Sequence, residues 1–220
     1  MLEHHLLQVV VHEGPMAAAR LQELGIEKHQ IVAAVEAAEI ERRSCSSLEP
    51  SISAPFKAWA AAFRTIAEYK VKEGWVRTES YGLPRMLNLE TAVAIAVVSG
   101  DEQTGRRYGS PKSRSPRGPQ SVLLVRRNER QLRMPFVENV VRFKPLPLPV
   151  EQITWWLLIY SKGDELRAEV SLPVGLDSDW RFSDWQERII VDLPNFALPP
   201  LRSEEDEEPP LEFEIPVRQR

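Results

Sequence analysis

Thr91-Ala92-Val93-Ala94-Ile95-Ala96-Val97-Val98-Ser99-Gly100-Asp101-Glu102-Gln103-Thr104-Gly105 decides how the chain is read. Val93, Ile95 and Val97 alternate with Ala92, Ala94 and Ala96, so an extended strand here is apolar on both faces. That pattern predicts a central strand covered by helix. The strand runs into a basic loop through Arg106, Arg107, Lys112, Arg114 and Arg117, which closes at Gly118-Pro119. Beyond it, Ser121 to Val125 reads as a second strand. A loop of about twenty residues without an apolar period is uncommon in a compact domain and marks function or disorder.

Outward from this stretch, charge is segregated. From Arg106 to Lys144 eleven Lys or Arg face two Glu, so this span carries +9 and the remainder −13 within a net charge of −4. Such asymmetry points to a polyanionic partner or to an internal acid-base contact. With 220 residues, 43% hydrophobic and 27% charged, the composition is that of a globular protein with room for a sizeable core. Cys45 stands alone, which excludes an intrachain disulfide and fits a reducing cytosol. No apolar run approaches the length of about 20 residues that spans a bilayer, and Met1 to Val11 lacks a basic leader, so a cytoplasmic chain without membrane contact is expected.

On the N-terminal side the period is helical. Leu6, Leu7, Val10 and Val11 have helical spacing; Gly14-Pro15 breaks that helix and starts a second over Met16 to Leu24, which Gly25 ends. A third helix is expected over Lys28 to Arg43, with Ile31, Val32, Val35 and Ala38 on one side. A polar stretch, Ser44 to Ser53, leads to a fourth over Pro55 to Glu73, with Phe56, Trp59, Phe63, Ile66 and Val71 as its core stripe and Gly74 as its stop. From Trp75 the period becomes two, with strands over Trp75 to Glu79, Arg85 to Leu89 and Thr91 to Val98.

On the C-terminal side, Met134 to Pro149 is broken by proline and reads as irregular. Ile153 to Tyr160 and Glu165 to Leu172 form a hairpin around Ser161-Lys162-Gly163-Asp164, with Leu166, Ala168, Val170 and Leu172 inward and Glu165, Arg167, Glu169 and Ser171 in water. Trp185 to Leu193 is another strand. Leu201 to Pro210 is an acidic linker, and Leu211 to Val217 alternates like an edge strand. The fold expected is α+β: an N-terminal helical segment (residues 1–47) packed on a mainly antiparallel β-sheet within a core domain (54–200), followed by a tail (201–220).

Asp101 and Glu102 follow a buried strand, where metal-dependent nucleases place carboxylates, so they are the weak catalytic candidates. The lysine two residues beyond the second acid is missing, because Lys112 lies far downstream; Asp101 reads more simply as a turn cap that bonds loop amides. Neither Gly-x-x-x-x-Gly-Lys-Ser/Thr nor Gly-x-Gly-x-x-Gly occurs, which removes the recognised nucleotide loops. His4, His5, His12, His29 and Cys45 lack ligand spacing, so no metal and no cofactor is expected. Leu21 to Ile26 invites a helix-turn-helix reading, but Glu36, Glu39 and Glu41 on the following helix would repel phosphate. The binding candidates are therefore Arg106, Arg107, Lys112, Arg114 and Arg117, able to lie along a phosphate backbone or a protein partner.

Three clusters, Ile95 to Gly105, Ala168-Glu169-Val170-Ser171-Leu172-Pro173-Val174 and Trp185-Gln186-Glu187-Arg188-Ile189-Ile190, together resemble a family of uncharacterised bacterial proteins with a helical front and a β-rich back. The likeness spans roughly residues 15 to 193 and implies a bacterial, cytoplasmic protein; it assigns no role to any residue. The function expected is a non-catalytic binding or adaptor protein that uses residues 99–119 to contact nucleic acid or a protein partner. The alternative is a metal-dependent nucleic-acid-processing enzyme using Asp101 and Glu102.

Overall fold

The structure is a computed structural model that describes residues 9–133 and 152–200. Four helices and seven strands follow in the order β1 (Val10–His12), α1 (Gly14–Glu23), α2 (Lys28–Arg43), α3 (Ser53–Lys72), β2 (Val76–Ser80), β3 (Leu83–Leu87), β4 (Val93–Ser99), α4 (Pro119–Arg133), β5 (Ile153–Lys162), β6 (Glu165–Leu176) and β7 (Phe182–Val191). All seven strands share one mixed sheet in the order β1-β7-β6-β5-β4-β3-β2. The α+β class holds. The antiparallel expectation holds only in part, because β4 runs parallel to β5 and β1 parallel to β7.

The helices start and stop where their sequence dictates. Pro15 opens α1, its fixed φ suiting a first turn that needs no N–H. Glu27 and Gln30 form a capping box at the start of α2, with Gln30 Oε1 accepting the Glu27 N–H at 3.2 Å. α3 ends against Gly74, whose φ of +83° closes a helix at little cost. Of the stripe expected on α3, Phe63 and Ile66 are buried, but Phe56 and Val71 face outward.

β4 supplies both cores, as its two apolar faces require. Ile95 and Val97 pack with Ile31, Val35, Phe63 and Ile66 of α2 and α3. Ala96 and Val98 meet Leu124 and Val125 of α4, with Trp156, Phe182 and Trp185. Each large apolar side chain buried this way contributes roughly 1.5–3 kcal/mol. Asn128 fixes α4 on the sheet: its Nδ2 donates to Thr154 O at 2.9 Å and Pro173 O at 3.0 Å, and its Oδ1 accepts the Thr154 N–H at 2.9 Å.

Three expectations are corrected. Ser121 to Val125 is not a strand but the first turns of α4, because Ser121, Val122, Leu124, Val125 and Asn128 together make one buried helical face. Val10 and Val11 belong not to a helix but to β1, paired with Glu187 and Arg188 of β7. The supposedly wet face of β6 is dry at Glu169 and Ser171, both fully buried, because the loop after β4 lies over it. The expectations for residues 1–8, for Met134 to Pro149, and for the acidic linker and tail fall outside the described residues. Among the described residues no helix is long and apolar enough to cross a membrane.

The β2–β3 hairpin turns on two residues, Tyr81 and Gly82, both with positive φ (50° and 71°), as a type I′ turn requires. Glycine adopts this conformation freely. A tyrosine does so at a cost on the order of 1–2 kcal/mol.

Candidate functional site

The loop between β4 and α4 is ordered by its own backbone and by a buried ion pair. Its two limbs bridge at Gly100 and Ser113, with Arg114 N donating to Ser99 O at 2.8 Å and Asp101 N to Lys112 O at 3.1 Å. A Cβ at Gly100 would collide with Thr104 Oγ1, so that close approach demands glycine. Under the loop, Arg188 donates from Nη1 to Gly109 O at 2.7 Å and from Nη2 to Arg106 O at 3.1 Å. Its buried partner Glu169 accepts the Gly105 N–H at 2.7 Å. Farther on, Trp185 Nε1 donates to Pro111 O and Arg117 N to Trp180 O.

Held this way, the five loop cations separate into two groups. Arg106 pairs with Glu165 at 3.4 Å, Arg107 with Glu13, and Lys112 with Asp177 at 2.8 Å. The hydrogen bond to Asp177 raises the Lys112 pKa, and the same contact holds the Asp177 carboxyl below its ordinary value. Arg114 and Arg117 have no ion pair among the described residues. Arg114 is exposed. Arg117 is half-buried with its guanidinium 6.0 Å from the centre of the Phe182 ring, and burial lowers its pKa.

These two arginines stand at neighbouring hollows around the carboxyl end of β4. Ligands of open α/β sheets bind at such strand ends. Arg114 lines a cavity of about 610 Å³ together with Arg42, Asp101, Glu102 and Lys162. Arg117 lines a groove of about 740 Å³ bounded by the start of α3, the β2–β3 turn and the start of α4. The two share Pro55, Trp59 and the last residues of β4, and Trp59 is oriented by its Nε1, which donates to Val97 O at 3.1 Å.

Asp101 is occupied as a turn residue. Its Oδ1 accepts the Gln103 N–H at 3.1 Å and its carbonyl the Thr104 N–H at 3.0 Å. Glu102 is exposed, and its carbonyl accepts from Arg167 at 2.6 Å. Glu39, on the wall of the same cavity, is committed to Arg42, Arg43 and Ser161. Burial pushes its carboxyl up, but these hydrogen bonds outweigh burial and hold its pKa below the ordinary value. Among the described residues no group of three or more His, Cys, Asp or Glu is placed to hold a metal ion.

Sequence reasoning missed the aromatic side of the groove. Tyr81 is 95% exposed and Phe56 59% exposed, and both line it. Phe56 looks like core from its helical spacing, whereas the visible signal for Tyr81 was a Tyr-Gly pair between two short strands. Compared with known protein families, with curated proteins and with solved structures, the chain matches none.

Proposed function

We propose that this is a non-catalytic binding protein, bacterial and cytoplasmic, that takes up nucleic acid as a polyanion where Arg114 and Arg117 flank the end of β4. One observation carries the reading: of the five loop cations, these two alone lack a carboxylate among the described residues. A cation already paired with an acid gains less from a phosphate than one that must otherwise be solvated. The ordered loop also spares part of the entropy that binding would otherwise cost.

Fluorescence anisotropy with labelled DNA and RNA, across a salt series, tests this. Arg114→Ser with Arg117→Ser should abolish a salt-sensitive interaction, since each phosphate contact releases counterions. Changing Arg106, Arg107 and Lys112 to Ser should leave most of it. Absence of binding to any nucleic acid at low salt refutes the reading. A second reading, metal-assisted processing, draws support from Asp101 and Glu102 lining the cavity beside Arg114. It requires Mg²⁺-dependent cleavage that disappears in Asp101→Ala.

A further inference from the structure

The groove beside Arg117 has an unusual composition for a surface hollow. Among the described residues no Asp or Glu lines it. Arg117 is its single cation among the described residues, and its walls carry Phe56, Trp59 and Tyr81 with Ile52 and Leu123. Phe56, Tyr81, Ile52 and Leu123 are all exposed, although an exposed apolar cluster on a folded chain is costly and marks an interaction site. Tyr81 is the most informative of them. Its ring is held out at the tip of a hairpin, at a turn position where Asn, Asp or Gly is the unstrained choice. A strained backbone presenting an exposed aromatic ring is the kind of outlier that accompanies a binding role. By contrast, the hollow of about 1000 Å³ on the other side of the loop is lined by Asp177, Asp184 and Glu129 as well as by arginines, so its charge does not favour an anion.

Resting on the reading above, we infer that the groove selects single-stranded nucleic acid, with unpaired bases laid on Tyr81 and Phe56 and the backbone phosphate against Arg117. The chemistry is the combination that single strands need. Aromatic faces accept any base, and a cation tracks the phosphates between them. A duplex keeps its bases stacked on one another and offers these rings nothing. Phe56 and Trp59 already stand as a tilted pair, with ring centres 5.7 Å apart, so this wall of the groove presents two neighbouring aromatic rings.

The test compares the full chain's affinity for oligothymidylate, oligouridylate and duplex DNA, each roughly 15 nucleotides long, the scale of a single-strand site. Both single strands should bind at least about tenfold more tightly than the duplex. Tyr81→Ala and Phe56→Ala should each weaken single-strand binding about tenfold, within the range for losing one stacked base. Because Tyr81→Ala leaves an awkward turn, Tyr81→Asn is the control. It should fold with a melting temperature no lower than the parent's, since Asn suits the turn, and still lose the affinity, whereas Tyr81→Phe should keep it. Equal affinity for duplex and single strands, unmoved by Tyr81→Asn, overturns this inference and leaves the polyanion reading standing. Loss of nothing but thymidine or uridine preference in the aromatic variants also overturns it, and no binding to any of the three refutes both.

Discussion

The Arg188 guanidinium grips both oxygens of the Glu169 carboxylate, from Nε at 3.0 Å and Nη2 at 2.6 Å, with 2% and 0% of the two residues exposed. Nη1 and Nη2 of the arginine also donate to the loop carbonyls of Gly109 and Arg106, and the carboxylate also accepts from Gly105 N and Ser171 Oγ. Removing one member would strand the other in the interior. Arg188→Met should therefore cost about 3–5 kcal/mol in urea unfolding, and the double variant Arg188→Met with Glu169→Leu should recover much of it. Gly105 N–H should exchange faster in the single variant. A loss under about 1 kcal/mol would mean that the pair is hydrated.

Asp101 offers a smaller effect with a clear sign. Its carboxylate satisfies one loop amide, so Asp101→Ala should cost about 1 kcal/mol, and Asp101→Asn, which keeps an acceptor oxygen, should cost less. Calorimetry with Mg²⁺ or Mn²⁺ separates this from metal binding. Tight uptake by the parent that vanishes in Asp101→Ala would replace the turn-cap role with a ligand role.

Glu39 makes stability depend on pH on the acid side. Its folded pKa lies below the ordinary 4.5, so its contribution is fully present above about pH 4.5 and is lost as pH falls through the depressed folded value. Glu39→Gln should lower stability at neutral pH, because Arg43 loses its buried carboxylate. It should also flatten the decline in the urea midpoint below pH 4.5. An unchanged decline would assign the acid sensitivity to other carboxylates.

Much of the fold was legible where periodicity alone decides structure. Lys28 to Arg43 is the helix that its apolar spacing and basic last turn describe, and the β5–β6 hairpin follows from the turn at Gly163 and the alternation of Glu165 to Leu172. What was lost depends on contacts distant in sequence. Ser121 to Val125 is rich in β-branched and aliphatic residues, and only continuation to Asn128 reveals its helical period. Glu169 alternates like a solvent-facing residue, but nothing near it in sequence announces Arg188 or the loop that covers it. At the site, all five cations were named, yet which of them are paired depends on Glu13, Glu165 and Asp177, each on a different element. Tyr81 shares a groove with Arg117 because the sheet order sets the β2–β3 turn close to the end of β4, and Phe56 lines the same groove from the start of α3.

The parallel pairing of β1 with β7 has a consequence in time. Val10 to His12 align with Glu187 to Ile189, so this strand is synthesised well before the partner it pairs with. α1 follows β1 after a single residue and itself packs on β7, so strand and helix wait for the same partner. Until β1 docks, the outer edge of β7 is an open row of backbone donors and acceptors, a template for any extended chain nearby. The short first strand therefore covers Glu187 to Ile189 and removes that stretch of the edge from pairing with another copy.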